Sequence, residues 1–167
     1  METTTSGTAT VTLPTDEQIL ITREFDAPRH LVFEAWTTPE LVKRWWNAKR
    51  GEVTIAEIDL RVGGRWRYVM VTEDGTEVGF HGEYREIVPN ERIVSTEVFE
   101  GIPPGEGPEK GTLNTATFTE VDGRTTLTVL VEAPSKEIRD AIVDSGMEAG
   151  MQDAMELLED VATSLSR

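Results

Sequence analysis

The chain has 167 residues, 38% of them hydrophobic, and carries 31 acidic against 16 basic side chains for a formal charge of -15, with no cysteine. This suffices for one domain with a real core, and the acidic excess argues against nucleic acid or an anionic membrane as partner, because both select clustered Lys and Arg. Lack of Cys excludes disulfides, thiolate metal sites and a Cys nucleophile; no apolar run nears the roughly 18–20 residues of a membrane span and no basic-then-apolar leader opens the chain, so the expectation is a soluble, cytoplasmic protein without membrane insertion.

Residues 1–15 hold seven Thr with few apolar side chains. They cannot offset the entropy of ordering and are expected to form a disordered tail, leaving 16–167 as the domain. QILITREFD at 18–26 alternates as a first strand, which Asp26-Ala27-Pro28 ends while opening a helix to Trp36. Thr38-Pro39-Glu40 starts a second short helix reaching Trp46. Adjacent residues lie about 100° apart on a helix, so Trp45 and Trp46 cannot both point inward, and one is expected at the surface.

From Glu52 the period becomes two. Six strands follow, at 53–60, 65–72, 77–88, 92–100, 112–121 and 124–133, with Gly63-Gly64, Asp74-Gly75, Pro89-Asn90 and Asp122-Gly123 as turns. Because these links are short, this part of the sheet is an antiparallel meander. Between the fourth and fifth of the six lies GIPPGEGPEKG at 101–111, too rich in Gly and Pro for regular structure and suited to a lid.

After Pro134-Ser135 the period is helical to the end of the chain. Met147, Met151, Ala154, Leu158, Val161 and Leu165 form one apolar stripe, with acidic residues mostly elsewhere on the wheel. Gly146 and Gly150 interrupt it; they mark either a break after a short helix or a place where a backbone or a ligand comes close. The predicted architecture is α+β, a seven-stranded curved antiparallel sheet wrapped around a long C-terminal helix, with two short helices between strands one and two. A twisted sheet gripping a helix tends to leave a cavity lined from both sides.

Signals for chemistry are sparse. His30 and His81 belong to no ligand-spacing pattern, and the carboxylates are too many for any pair to stand out. There is no phosphate loop and no Gly-x-Ser-x-Gly elbow, so no catalytic residue, metal or cofactor is assigned. The aromatic residues are better placed: Trp66 and Tyr68 share a strand face with Met70, and Val78, Phe80 and Tyr84 share another. These rings either fill a core or line a cavity, as do Met147 and Met151. Gly82 beside His81 allows a bulge that turns the imidazole inward. Arg65 and Arg67 alternate with Trp66 and are expected on the solvent face. The candidate ligand-binding residues are thus Trp66, Tyr68, Phe80, His81, Tyr84, Met147 and Met151.

Four stretches occur in order: FDAPRHLVFEAWTTPELVKRWW at 25–46, GGRWRYVM at 63–70, GFHGEYREIVPNERIVSTE at 79–97 and SGMEAGM at 145–151. Together they resemble the START-like, birch-pollen-allergen-type (SRPBCC) superfamily, and within it the family related to the C-terminal domain of the activator of the heat-shock-protein-90 ATPase. The resemblance runs from about residue 18 to 165 and implies a helix-grip fold with a cavity, without a family-wide catalytic residue. Many relatives carry Gly-Trp where this chain has Gly150-Met151. It implies binding of a small hydrophobic or amphipathic ligand in the cavity. The alternatives are a co-chaperone-like interaction with a chaperone partner in a stress response, or a cyclase- or dehydratase-like enzyme relying on His81 or Tyr84. An exposed Trp and an open sheet edge would also permit a homodimer.

Overall fold

The computed structural model describes residues 8–100 and 111–165; residues 1–7 of the expected tail and 101–110 of the expected lid lie outside them. In chain order the elements are β1 (Thr10–Thr12), β2 (Gln18–Phe25), α1 (Arg29–Thr37), α2 (Pro39–Trp45), β3 (Gly51–Ile58) and β4 (Arg65–Thr72). There follow β5 (Glu77–Val88), β6 (Arg92–Phe99), β7 (Thr112–Val121), β8 (Arg124–Glu132), α3 (Lys136–Asp144) and α4 (Met147–Ser164). All strands join one antiparallel sheet in the order β1-β2-β8-β7-β6-β5-β4-β3. β3 to β8 form the expected meander, and β2 closes onto β8 after the chain has crossed through α1 and α2.

Alternation along each strand fixes which side chains face the helices. Ile19, Ile21, Arg23 and Phe25 of β2 point inward with Leu127, Val129 and Val131 of β8, Ala116 and Phe118 of β7, and Ile93 of β6. Phe33 of α1 meets Phe118 edge-on at 5.4 Å, and Met155, Leu158, Val161 and Ala162 of α4 close the core from the other side. α4 lies nearest to α1 and α2 rather than to any strand.

Two expectations are corrected and one choice between alternatives is decided. The sheet has eight strands, not seven, because Thr10–Thr12 pairs with β2 (Thr10↔Thr22, Thr12↔Leu20) inside the stretch read as a disordered tail. The composition concealed Ala9 and Val11, two small apolar groups at alternate positions that pack on the core, and the hydrogen bonds available from an edge strand. Ala9 is further held by Gln152 of α4, whose amide accepts from the Ala9 N–H and donates to its carbonyl, both at 2.9 Å. Second, of the two readings offered for the glycines the break is the one found, and the C-terminal segment is two helices. Gly146 stands between them at φ 86°, a left-handed conformation that Gly takes without the Cβ penalty, so the break, not a continuous rod, is what this glycine marks. Ser135 caps the first of the two by accepting from the Ile138 N–H at 3.2 Å.

The third concerns the tryptophans. Trp45 stacks on Trp36 at 5.2 Å and donates to the Ala35 carbonyl, whereas Trp46, the C-cap of α2, packs edge-on against Tyr68 and Phe80. Their angular separation sends the two indoles to different parts of the curled sheet, so both contact the interior and Trp46 is half-buried.

Candidate functional site

The concave face of β4, β5, β6 and β7 carries the aromatic residues singled out in the sequence. Trp66 and Tyr68 are adjacent inward positions of β4, rings 4.8 Å apart, and Phe80 of β5 lies between Trp46 at 5.7 Å and Phe99 of β6 at 5.1 Å. A close approach orders this floor. Gly82 of β5 pairs with Trp66, and a Cβ there would sit 2.6 Å from Trp66 Nε1 and 1.8 Å from the Thr96 carbonyl oxygen. Only a bare backbone lets the indole cross β5 and donate to that oxygen, at 3.2 Å.

Among these rings lies a polar row. Ser95 and Glu97 follow Ile93 at inward positions of β6, facing Asn114 and Thr112 of β7. Asn114 Nδ2 donates to Glu97 Oε1 at 2.9 Å, and Thr112 donates to Asn114 Oδ1 at 2.9 Å, so the amide is held at both ends. Burial pushes the Glu97 carboxyl above its ordinary range, against the opposing pull of the Asn114 hydrogen bond. It is the only charged residue at the inward positions of β4, β5 and β6. Burial likewise raises Tyr68 well above its ordinary value, Tyr84 and Glu97 both adding to the effect, and raises Tyr84.

Both tyrosine rings are more than nine-tenths buried, yet neither hydroxyl has a hydrogen-bond partner among the described residues. Among the described residues the fully enclosed side-chain polar atoms without a partner are confined to Arg23, so both phenol oxygens adjoin accessible space. Above them, Met147 and Met151 of α4 are half-buried against the core. Gly150, beside this methionine stripe and also half-buried, would place a Cβ with nothing within 4 Å.

His81 does not join this group. The β4–β5 register runs unbroken through Arg67↔His81 and Trp66↔Gly82, so Gly82 produces no bulge and the imidazole stays on the outer face. There Glu100 accepts from Arg67 Nε and Nη2, both at 3.0 Å, and its Oε2 lies 2.9 Å from His81 Nδ1. Arg67, followed by His81, holds the Glu100 carboxyl below its usual range. Arg65 and Arg67 lie outward as expected. His81 and Tyr84, on which an enzymatic alternative relied, stand on opposite faces. Among the described residues no group of three or more His, Asp or Glu is placed to hold a metal ion.

Two surface hollows lie outside the helix–sheet interface. One of about 470 Å³ is lined by Lys49, Gly51, Glu52, Val71, Thr72 and Glu73, and one of about 290 Å³ surrounds the outer-face ion pairs of Arg67, His81 and Glu100. Neither has apolar walls with a few convergent polar groups, the usual makeup of a small-molecule site. Sequence inspection missed Ser95, Glu97, Thr112 and Asn114, although polar residues in phase with Ile93 and Ala116 were the available signal. Phe99 and Trp46 were missed as parts of the aromatic floor.

Residues 26–163 match the model of the family described as Activator of Hsp90 ATPase homolog 1-like protein. The chain belongs to that family. No curated protein matches it in sequence. Solved structures similar to this family member include a protein from Rhodobacter sphaeroides, 24% identical with TM-score 0.84, covering 94% of this chain and 99% of the other. Another, from Mycobacterium smegmatis, is 25% identical with TM-score 0.78 over 92% and 96% of the two chains. A third, from Nitrosomonas europaea, is 21% identical with TM-score 0.80 over 92% and 99%. Identities at this level carry the START-like fold. No described helix of this family member is long and apolar enough to cross a membrane.

Proposed function

We propose that the protein binds a small hydrophobic or amphipathic molecule between the concave sheet face and α4, with Trp66, Tyr68, Phe80, Tyr84, Met147 and Met151 as lining. The observation that carries this reading is the pair of buried rings, Tyr68 and Tyr84, whose hydroxyls lack a partner among the described residues while remaining accessible. A core closed for stability alone would leave no accessible space beside such hydroxyls or would carry Phe at these positions, because sealing an unpaired hydroxyl away from water costs roughly 1–3 kcal/mol. Gly150 supports the same reading from the helix side: a mid-helix Gly costs about 1 kcal/mol relative to Ala, and no described atom occupies the space that would require it. Methionines opposite aromatic rings suit an apolar guest of loosely fixed shape.

The test fills that space. Gly150→Leu gains helix propensity, so the variant is expected to unfold at the same or higher denaturant concentration, while calorimetric affinity for naphthalene as a compact apolar probe falls on the order of tenfold or more. Unchanged naphthalene binding in a folded Gly150→Leu would place the guest elsewhere. Failure of the unmodified protein to bind naphthalene or any other apolar probe would end the proposal.

A further inference from the structure

Glu97 presents one spare oxygen to the concave face. Its Oε1 accepts from Asn114 at 2.9 Å, whereas Oε2 has no hydrogen-bond partner among the described residues. Among those residues the enclosed side-chain atoms without a partner belong to Arg23 alone, and Glu97 is half-buried, so Oε2 reaches accessible space. No Lys or Arg stands at an inward position of β4, β5, β6 or β7. Arg23 of β2 is three strand spacings away (roughly 14 Å) and is bound to Glu159. A carboxylate oxygen accepts and cannot donate. What it lacks is a positively charged donor.

The surroundings of Glu97 favour the same sign. Phe99 follows it by two residues on the same face of β6 (roughly 7 Å along the strand) and is 42% exposed, so its ring is open to a guest. The Trp66 indole ends on the Thr96 carbonyl, the peptide that leads into Glu97, and Tyr68 is near enough for the Glu97 charge to raise its phenol. Ring faces attract cations, and more strongly where water is excluded. The carboxylate has shed much of its own water on folding, so an arriving ammonium adds only its own desolvation, and the pair escapes part of the penalty of burying two ions at once. Burial raises the Glu97 carboxyl as expected of an acid that no cation faces. At long range the formal charge of -15 also attracts cations.

We infer that Glu97, held by Asn114 and flanked by Trp66, Tyr68 and Phe99, is a head-group subsite for a guest ammonium, whose N–H donates to Glu97 Oε2 while its apolar body occupies the space between sheet and α4. This inference rests on the binding reading above and adds the charge of the guest's polar end.

Three naphthalene derivatives of similar shape isolate that charge: naphthylmethylammonium, uncharged naphthylmethanol and naphthoate. Each is titrated calorimetrically at neutral pH, alongside naphthalene, into the full chain and into its Glu97→Gln and Glu83→Gln variants. Glu83 lies on the outer face of β5 and pairs with Arg85 at 3.1 Å, so its loss removes the same charge from the opposite side of the sheet. In the unmodified protein the ammonium should bind about tenfold or more tightly than naphthylmethanol, with naphthoate weakest. Glu97→Gln should bring the ratio of ammonium to alcohol affinity close to one, and Glu83→Gln should leave that ratio as it was. An alcohol that binds as tightly as the ammonium in the unmodified protein overturns the subsite without recourse to any variant. So does a preference for the ammonium that survives Glu97→Gln, or one that Glu83→Gln removes equally, which would trace it to the overall charge. In each of these cases naphthalene still binds and the binding reading stands; absence of binding by all four compounds would remove both.

Discussion

Glu97 is a carboxyl whose neighbours and whose burial pull in opposite directions, and this gives a stability signature. Because burial dominates, its folded value lies above the ordinary 4.5. The folded chain then keeps a proton that the unfolded chain has released, so the contribution of this group to stability is complete below the unfolded value and is lost as pH rises through the folded one. Glu97→Gln keeps an acceptor for Asn114 and cannot ionise. Its thermal midpoint should match the parent at about pH 4 and exceed it as pH rises through the folded value, a gap that a pH series of melting curves reads directly. A midpoint difference that is constant with pH would mean that the carboxyl does not titrate in this range. The same residue shows why the site was only half legible. Trp66, Tyr68, Phe80 and Tyr84 announce themselves by size and alternation, but Glu97 in a chain with 31 acids looks like one more solvated carboxylate until register sets it opposite Thr112. His81 failed for the reverse reason: a glycine neighbour permits a bulge without requiring one, and an unbroken β4–β5 ladder keeps every side chain in phase.

At the scale of elements, α4 is fastened to the rest of the fold by acids on its polar side. Asp153 pairs with Arg50 at 2.8 Å, Glu156 with Lys49, and Glu159 with the buried Arg23 at 3.0 Å. The first two depend on a tight corner after α2, where Ala48 and Lys49 both take positive φ (51° and 64°), a conformation that costs each non-Gly residue roughly 1–2 kcal/mol and turns Lys49 and Arg50 toward the helix. Exposed pairs of this kind contribute little. The Glu159 contact differs, because Arg23 is fully enclosed, its Nε and Nη2 have no partner among the described residues, and Glu159 Oε2 also accepts the Asp26 N–H at 2.8 Å. Glu159→Ala would strand that guanidinium over the Phe25 ring without a counter-charge and should cost about 3 kcal/mol in a urea titration. Arg23→Met, which removes the buried charge and keeps the apolar stem, should cost far less. Equal losses in the two variants would argue that packing, rather than charge pairing, fastens the helix here. None of this was legible beforehand, since the sequence separation of 136 residues between Arg23 and Glu159 leaves no local pattern.

The whole molecule was more legible than its parts. Six strands with short turns can only form a meander, and an amphipathic C-terminal segment offers cover for its apolar face, so the α+β architecture followed from periodicity, although α1 and α2 share that covering role. The eighth strand escaped because three residues of Thr-rich sequence gain their order from a partner edge and from Gln152, neither of which is local. The distribution of fastenings along α4 has its own consequence. Gln152, Asp153, Glu156 and Glu159 all lie beyond its first turn, whereas Met147 to Met151 follow a glycine without a side-chain cap and make no side-chain hydrogen bond among the described residues. Such a helix behaves as a cantilever, clamped along most of its length and free to flex at the tip. Amide exchange in the unmodified protein should therefore be fastest at 147–151 and slowest near Leu158 and Val161, with the tip slowing once a guest is bound. Under the proposed binding, guests of different girth would be admitted by moving one helical turn, without loosening the core on which stability depends.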